Sequence, residues 1–256
     1  MSMKRLAVLS LGLLPFVACG GGEAPKSESA PSTEAAKPAA AAAVSTGTAS
    51  VSGKISYEGP VPPAEKVKLT ADAKCAEMHK DGLERQAIKV KDGGVADVLV
   101  YVKSGLSGTY PAPAEPVLLD QNGCDYHPHM VAMMAGQKLT IRNSDDTLHN
   151  IHPRPQLNKE FNQGQAKKGM ETQKLFDQPE ILIPVGCDVH PWMRAFISVL
   201  SNPFFAVTGD DGTFEIKGLP AGEYEIEAAH GKLKTVSAKV TVKDGEAAKL
   251  SLTYKG

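Results

Sequence analysis

Near residue 190 the chain reads Cys187-Asp188-Val189-His190-Pro191-Trp192-Met193, which sets a thiol, an imidazole and a thioether three residues apart. About forty residues upstream stands Asn143-Ser144-Asp145-Asp146-Thr147-Leu148-His149-Asn150-Ile151, which brings a second imidazole. A thiolate, two imidazoles and a weak axial thioether form the donor set that suits a copper ion in one-electron exchange. His149, Cys187, His190 and Met193 are therefore the expected metal ligands. Taken singly, each has a plainer use: a buried Met fills core, as Met130, Met133, Met134 and Met170 are expected to do. The joint spacing, with His149, is what points to a metal.

Four cysteines bound the reading further. Residues 1–18 carry Lys4 and Arg5, an apolar run from Leu6 to Val17, and then small residues, the design of a secretory signal. Phe16-Val17-Ala18-Cys19 resembles a bacterial lipobox, which implies lipidation of Cys19. The expected location is the periplasm or cell surface, anchored to a bacterial membrane by lipid. Residues 19–48 are Ala, Pro, Gly, Ser, Glu and Lys with little to bury, and read as a flexible leash. Three cysteines remain in an oxidising compartment. Cys187 could bond Cys124 and leave Cys75 spare. Pairing Cys75 with Cys124 instead joins two blocks of the chain and leaves Cys187 as the thiolate. The second pairing is preferred, because a disulfide at Cys187 gives no reason for His190 and Met193 at their spacing.

The elements that must hold these ligands are strands. Val51 to Tyr57, Leu139 with Ile141, Phe214 with Ile216, Tyr224 to Ala228, Val236 to Val242 and Leu250 to Tyr254 alternate with polar neighbours. Val95 to Val102, Ile181 to Val185 and Phe196 to Leu200 are nearly continuous apolar runs. Asp92-Gly93, Asn122-Gly123, Asp211-Gly212 and Asp244-Gly245 supply the turns between strands. One short helix is expected near Asp72 to His79. The fold class is all-β, with the ligands at the end of a sandwich whose stiffness limits their movement.

The ligand loop resembles that of the cupredoxins, amicyanin-like and plastocyanin-like blue copper proteins. Tyr126, Pro128 and the run from Gly136 to Ile141 resemble the strand and turn leading to that family's first His ligand. The resemblance covers about 124–200 and implies a Greek-key sandwich, one type 1 copper held by His149, Cys187, His190 and Met193, and electron transfer. The stretch from Thr208 through Asp210-Asp211-Gly212, Leu219-Pro220 and Tyr224 resembles the carboxypeptidase regulatory-like (transthyretin-like) β-sandwich. Its opening strands are expected far upstream. The domain reading is therefore 49–117 and 202–256 as two parts of that sandwich, with 118–201 as the cupredoxin domain inserted in it or adjacent to it; two tandem β-domains are the rival.

His127 and His129, with His152, form a second cluster that could surround the first site or hold a further ion. Pro191 and Trp192 are the expected exit patch for an electron, with His190 on an exposed loop and an unidentified redox protein docking there. Formal charge is −1, from 28 Lys+Arg and 29 Asp+Glu, so no nucleic-acid partner is expected. Catalysis is not expected either: the multicopper cupredoxin enzymes need several such domains and additional His clusters, whereas this chain holds seven His. Copper delivery or storage, and a non-redox carbohydrate- or protein-binding scaffold, are the alternative functions.

Overall fold

The computed structural model describes residues 46–69 and 72–256. Cys19, the signal segment 1–18 and the leash as far as residue 45 lie outside the described residues. No helix among the described residues is long and apolar enough to cross a membrane.

In chain order, the first third holds β1 (Ala49–Glu58), β2 (Glu65–Lys66), α1 (Ala73–Met78), β3 (Glu84–Arg85), β4 (Val90–Lys91), β5 (Gly94–Val95) and β6 (Leu99–Ser104). The middle holds β7 (Val117–Gln121), β8 (Tyr126–His127), β9 (Met130–Met134), β10 (Lys138–Asn143) and β11 (His149–Pro153). It continues with β12 (Gln163–Gln165), β13 (Glu171–Leu175), β14 (Glu180–Gly186) and β15 (Arg194–Leu200). The last third holds β16 (Phe205–Val207), β17 (Thr213–Leu219), β18 (Gly222–His230), β19 (Leu233–Val242) and β20 (Ala247–Lys255). The chain is all-β, as its alternation predicts.

β1 is antiparallel to β17 and parallel to β20, with Ser50 opposite Ala247 and Glu58 opposite Lys255. Its other contact, through β5, leads to β4. A second sheet runs β16-β6-β18-β19. The two ends of the chain thus share a core, in which Val51, Ile55 and Val100 meet Ile216, Ile226 and Tyr254. The alternation explains the packing: in β17 Phe214, Ile216 and Leu219 are buried while Thr213, Glu215 and Lys217 are exposed.

The middle third makes its own two sheets, β13-β10-β7-β8 and β12-β11-β14-β15-β9. Leu119, Ile141, Ile151, Val185 and Ile197 lie in the core of this part. A third cluster joins the two bodies: Leu99, Tyr101 and Ala229 on one side, Met130 and Leu200 on the other. Gly231 belongs to this junction, because a Cβ there would run into the Phe196 ring.

One expectation about the strands is corrected. The run from Val95 to Val102 is not one strand: it divides into β5 and β6 at Asp97, whose φ is 59°. The reason is that the two pieces serve different sheets. Thr208 bridges the break, donating from Oγ1 to the Val95 carbonyl at 2.7 Å and accepting from the Val98 N–H at 3.0 Å. The polar segment 158–178 also carries strands. β12 and β13 pair with β11 and β10, and β13 places every second side chain in water. Met130, Met133 and Met134 are buried as expected, and Met170 is half-buried.

Candidate metal centre

The site forms where the end of β10, the start of β11 and the turn between β14 and β15 approach one another. The turn is short and internally closed. The Met193 N–H donates to the His190 carbonyl at 2.9 Å, and the Cys187 N–H reaches the Met193 carbonyl at 3.3 Å. Asn150 ties it to β11 from across the sheet: its Oδ1 accepts the Asp188 N–H at 2.7 Å and the Val189 N–H at 3.3 Å. Cys187 is buried and free of any disulfide.

His149, Cys187 and His190 offer donor atoms that all lie within 4.8 Å of one another. The Nδ1 atoms of the two imidazoles stand 2.9 Å apart, and Cys187 Sγ is 3.8 Å from His190 Nδ1. Met193 is wholly buried in the same apolar cluster as Cys187.

Each imidazole turns its other nitrogen to a carboxylate. His149 Nε2 donates to Asp145 Oδ2 at 2.8 Å, and His190 Nε2 faces Asp72 Oδ2 at 3.3 Å. A carboxylate can only accept, so each Nε2 keeps its hydrogen and each Nδ1 presents a lone pair. Two lone pairs at this separation repel unless a cation lies with them, either a proton or a metal ion. With a buried sulfur beside them, the donors fit a borderline-soft ion such as copper.

The electrostatics agree with a charged, preorganised site. Burial alone would raise the Cys187 thiol, but hydrogen bonds involving His149 and His190 outweigh it and bring the pKa down to about 6. Burial would lower that of His149, yet the hydrogen bonds to Asp145 and Cys187 carry it up to about 8. Asp72 is held at about 2: against the upward effect of burial act Thr147, the Cys75 and Lys74 N–H groups and His190. Asp145 also lies below the usual carboxylate range, because His149 and the Cys124 and Gly123 N–H groups overcome desolvation.

Asp72 is the N-cap of α1, accepting from the Lys74 and Cys75 N–H groups at 2.7 and 3.1 Å. Cys75 is linked to Cys124 by a disulfide, and its Sγ is 3.8 Å from His190 Nε2. The cap of α1 and the disulfide therefore lie against the second imidazole. This corrects the expectation that His190 sits on an exposed loop: its ring is completely buried. Contacts across more than a hundred residues of sequence seal it, and loop spacing carries no sign of them. Pro191 is exposed and Trp192 half-buried. The indole lies 5.0 Å from the His190 ring, centroid to centroid, and its Nε1–H donates to the Cys124 carbonyl at 3.1 Å.

The other histidines have separate partners. His127 Nε2 meets the Asn122 carbonyl at 3.1 Å, and His129 packs edge-on against Phe196. His152 bridges Asp188 and Glu160 at 3.0 and 2.6 Å. None of these three joins a group of three metal-ligating side chains among the described residues. Asp72 and Asp145 were not singled out from the sequence. The signals were present: Asp72 begins the expected helix, and Asp145 stands four residues before His149.

No protein-family model matches the chain, and no curated protein matches it. Among solved structures, neighbours of fold include a copper-containing nitrite reductase from Thermus scotoductus, 20% identical with a TM-score of 0.32. The match covers 39% of this chain and 25% of that one, so this chain spans only a quarter of the enzyme. A purple cupredoxin from Nitrosopumilus maritimus is 20% identical, with a TM-score of 0.29 over 33% of this chain and 99% of that chain. Amicyanin from Paracoccus versutus is 20% identical, with a TM-score of 0.30 over 40% of this chain and 97% of that one.

Proposed function

We propose that this protein is a type 1 copper protein that carries single electrons outside the cytoplasm, tethered to a bacterial membrane through lipidated Cys19. The observation that carries the reading is the convergence of His149 Nδ1, His190 Nδ1 and Cys187 Sγ, with each imidazole's Nε2 turned to a carboxylate. His149, Cys187 and His190 would hold the ion, with Met193 as a weaker fourth donor. Bound copper supplies a one-electron couple.

The protein's own part is to keep the donors still. Asp145 fixes His149, Asp72 fixes His190, and Asn150 fixes the turn that bears Cys187, so little reorganisation accompanies a change of charge. Electrons would leave by Trp192 and Pro191 toward an unidentified redox protein, since His190 has no exposed edge. For the domains we propose 118–201 as the copper-bearing part, set within a sandwich made of 49–117 and 202–256. The pairing of β1 with β17 and β20 supports that division.

The test is spectroscopic. Adding Cu(II) to the purified protein should give intense visible absorption from the thiolate bond and quench Trp192, the sole Trp. Cys187→Ser should abolish the absorption and leave the circular dichroism of the fold unchanged. Uptake of copper by folded protein without that absorption overturns the proposal.

A further inference from the structure

Beside the metal centre, but apart from its three donors, a groove of about 910 Å³ opens between the two bodies of the molecule. Its volume falls in the range of small-ligand pockets. Three pieces of the chain enclose it: the excursion that carries β2 and β3, the turn joining β18 to β19, and the β14–β15 region.

The lining is cationic in a chain whose acids outnumber its bases. Lys66, Lys68, Arg85, Arg194 and Lys232 line the groove against a single carboxylate, Glu65. Arg85 is partly neutralised by its ion pair with Asp125, yet its Nε is buried and has no hydrogen-bond partner among the described residues.

His230 gives an independent second sign. It is 5% exposed and lines the groove. Its Nδ1 accepts the Lys232 N–H at 3.2 Å, so the ring hydrogen sits on Nε2, which has no partner among the described residues. Burial first, and then the neighbouring His129, lower its pKa to about 4, so it is a neutral donor at ordinary pH. One wall is apolar and aromatic, formed by Trp192, Pro191 and Phe196.

We propose that this groove is a binding site for a small aromatic anion bearing two or more carboxylate or sulfonate groups. The ring would lie on the wall that holds Trp192. The acid groups would meet Lys66, Lys68, Arg194 and Lys232, and would bring an acceptor to His230 Nε2. The flanking cations are largely exposed, so binding should weaken as ionic strength rises. This proposal stands without the copper reading, because no groove residue is one of the three donors.

The probe is benzene-1,3,5-tricarboxylate, titrated into the metal-free full chain by calorimetry and by Trp192 fluorescence. Saturable binding with a change in Trp192 emission is expected. Arg194→Glu and Lys232→Glu should each weaken it at least tenfold, whereas Lys217→Glu, remote on β17, should not. Propane-1,2,3-tricarboxylate, with the charge but no ring, and 1,3,5-tris(hydroxymethyl)benzene, with the ring but no charge, should each bind at least tenfold more weakly. No binding at millimolar concentration overturns the proposal, as does equal binding by either control or by both Glu variants. A response to hexaglutamate without one to the aromatic acid also overturns it, and makes the groove a docking face for an acidic polypeptide.

Discussion

At the scale of single residues, the side chains that decide the site's behaviour are the two carboxylates behind the imidazoles. Asp145 accepts from the Gly123 and Cys124 N–H groups at 2.8 Å each and from His149 Nε2, while itself 4% exposed. Asp145→Asn removes the charge and turns an amide N–H₂ toward donors. We expect a stability loss of roughly 1–3 kcal/mol, the usual cost of unsatisfied buried donors. Copper affinity should fall about 10–100-fold, as happens when a ligand's outer partner is lost. Denaturant titration and competition with a copper chelator check the two effects; an unchanged affinity would mean that Asp145 serves the turn alone. His230 makes the pH dependence legible at one residue. Its folded pKa of about 4 lies below the ordinary 6.5, so between those values the unfolded chain binds more protons. The stability that a neutral His230 permits is therefore complete above about pH 6.5 and declines as pH falls to about 4, by roughly 3 kcal/mol at most. His230→Gln should flatten this part of the stability curve in urea melts at successive pH values, and an equally steep curve in the variant would assign the acid loss elsewhere.

At the scale of elements, α1 shows why tertiary constraint matters more than propensity. A helix of six residues cannot persist by itself. It is kept in place by the Asp72 cap and by the disulfide from Cys75 to Cys124, which are 49 apart in sequence. The paired Cys75→Ser and Cys124→Ser change should cost about 4 kcal/mol on the chain-entropy view. It should also release α1 from His190. Diethyl pyrocarbonate labelling read by mass spectrometry should then find His190 reactive in the variant and protected in the parent; protection in both would show that α1 needs no cross-link. The same element marks the limit of what the sequence discloses. The ligand loop was legible because its donors are close in sequence, and β1, β10, β17, β18, β19 and β20 were legible because burial on one face leaves an alternating pattern. The cover over His190 was not, because it depends on α1 meeting a turn more than a hundred residues away. β11 and β13 were missed for a related reason. β11 is buried yet carries His149, Asn150 and His152, and β13 lies at a sheet edge and is polar throughout except for an exposed Leu175. The break at Asp97 was hidden because both halves of an apolar run are buried, each in a different sheet.

At the scale of the whole molecule, the chain passes from one body to the other after β6 and returns before β16, so the middle third is held at both its ends. The apolar junction of Leu99, Tyr101, Met130, Leu200 and Ala229 adds a shared core to that covalent tie. Trp192 lies in the middle third and is the sole Trp, so its fluorescence follows that body, whereas far-ultraviolet circular dichroism follows all the strands. A single cooperative transition makes the two signals coincide. The junction predicts that coincidence for the native chain. Leu200 is 3% exposed, and Leu200→Ala should cost about 2–5 kcal/mol by leaving a cavity where the bodies meet. With the shared core weakened, the two signals should separate, the fluorescence changing at lower denaturant than the circular dichroism because β15 belongs to the middle third. Coincident curves in the variant would show that the covalent crossings alone couple the bodies, and separate curves in the native chain would show that the junction never coupled them.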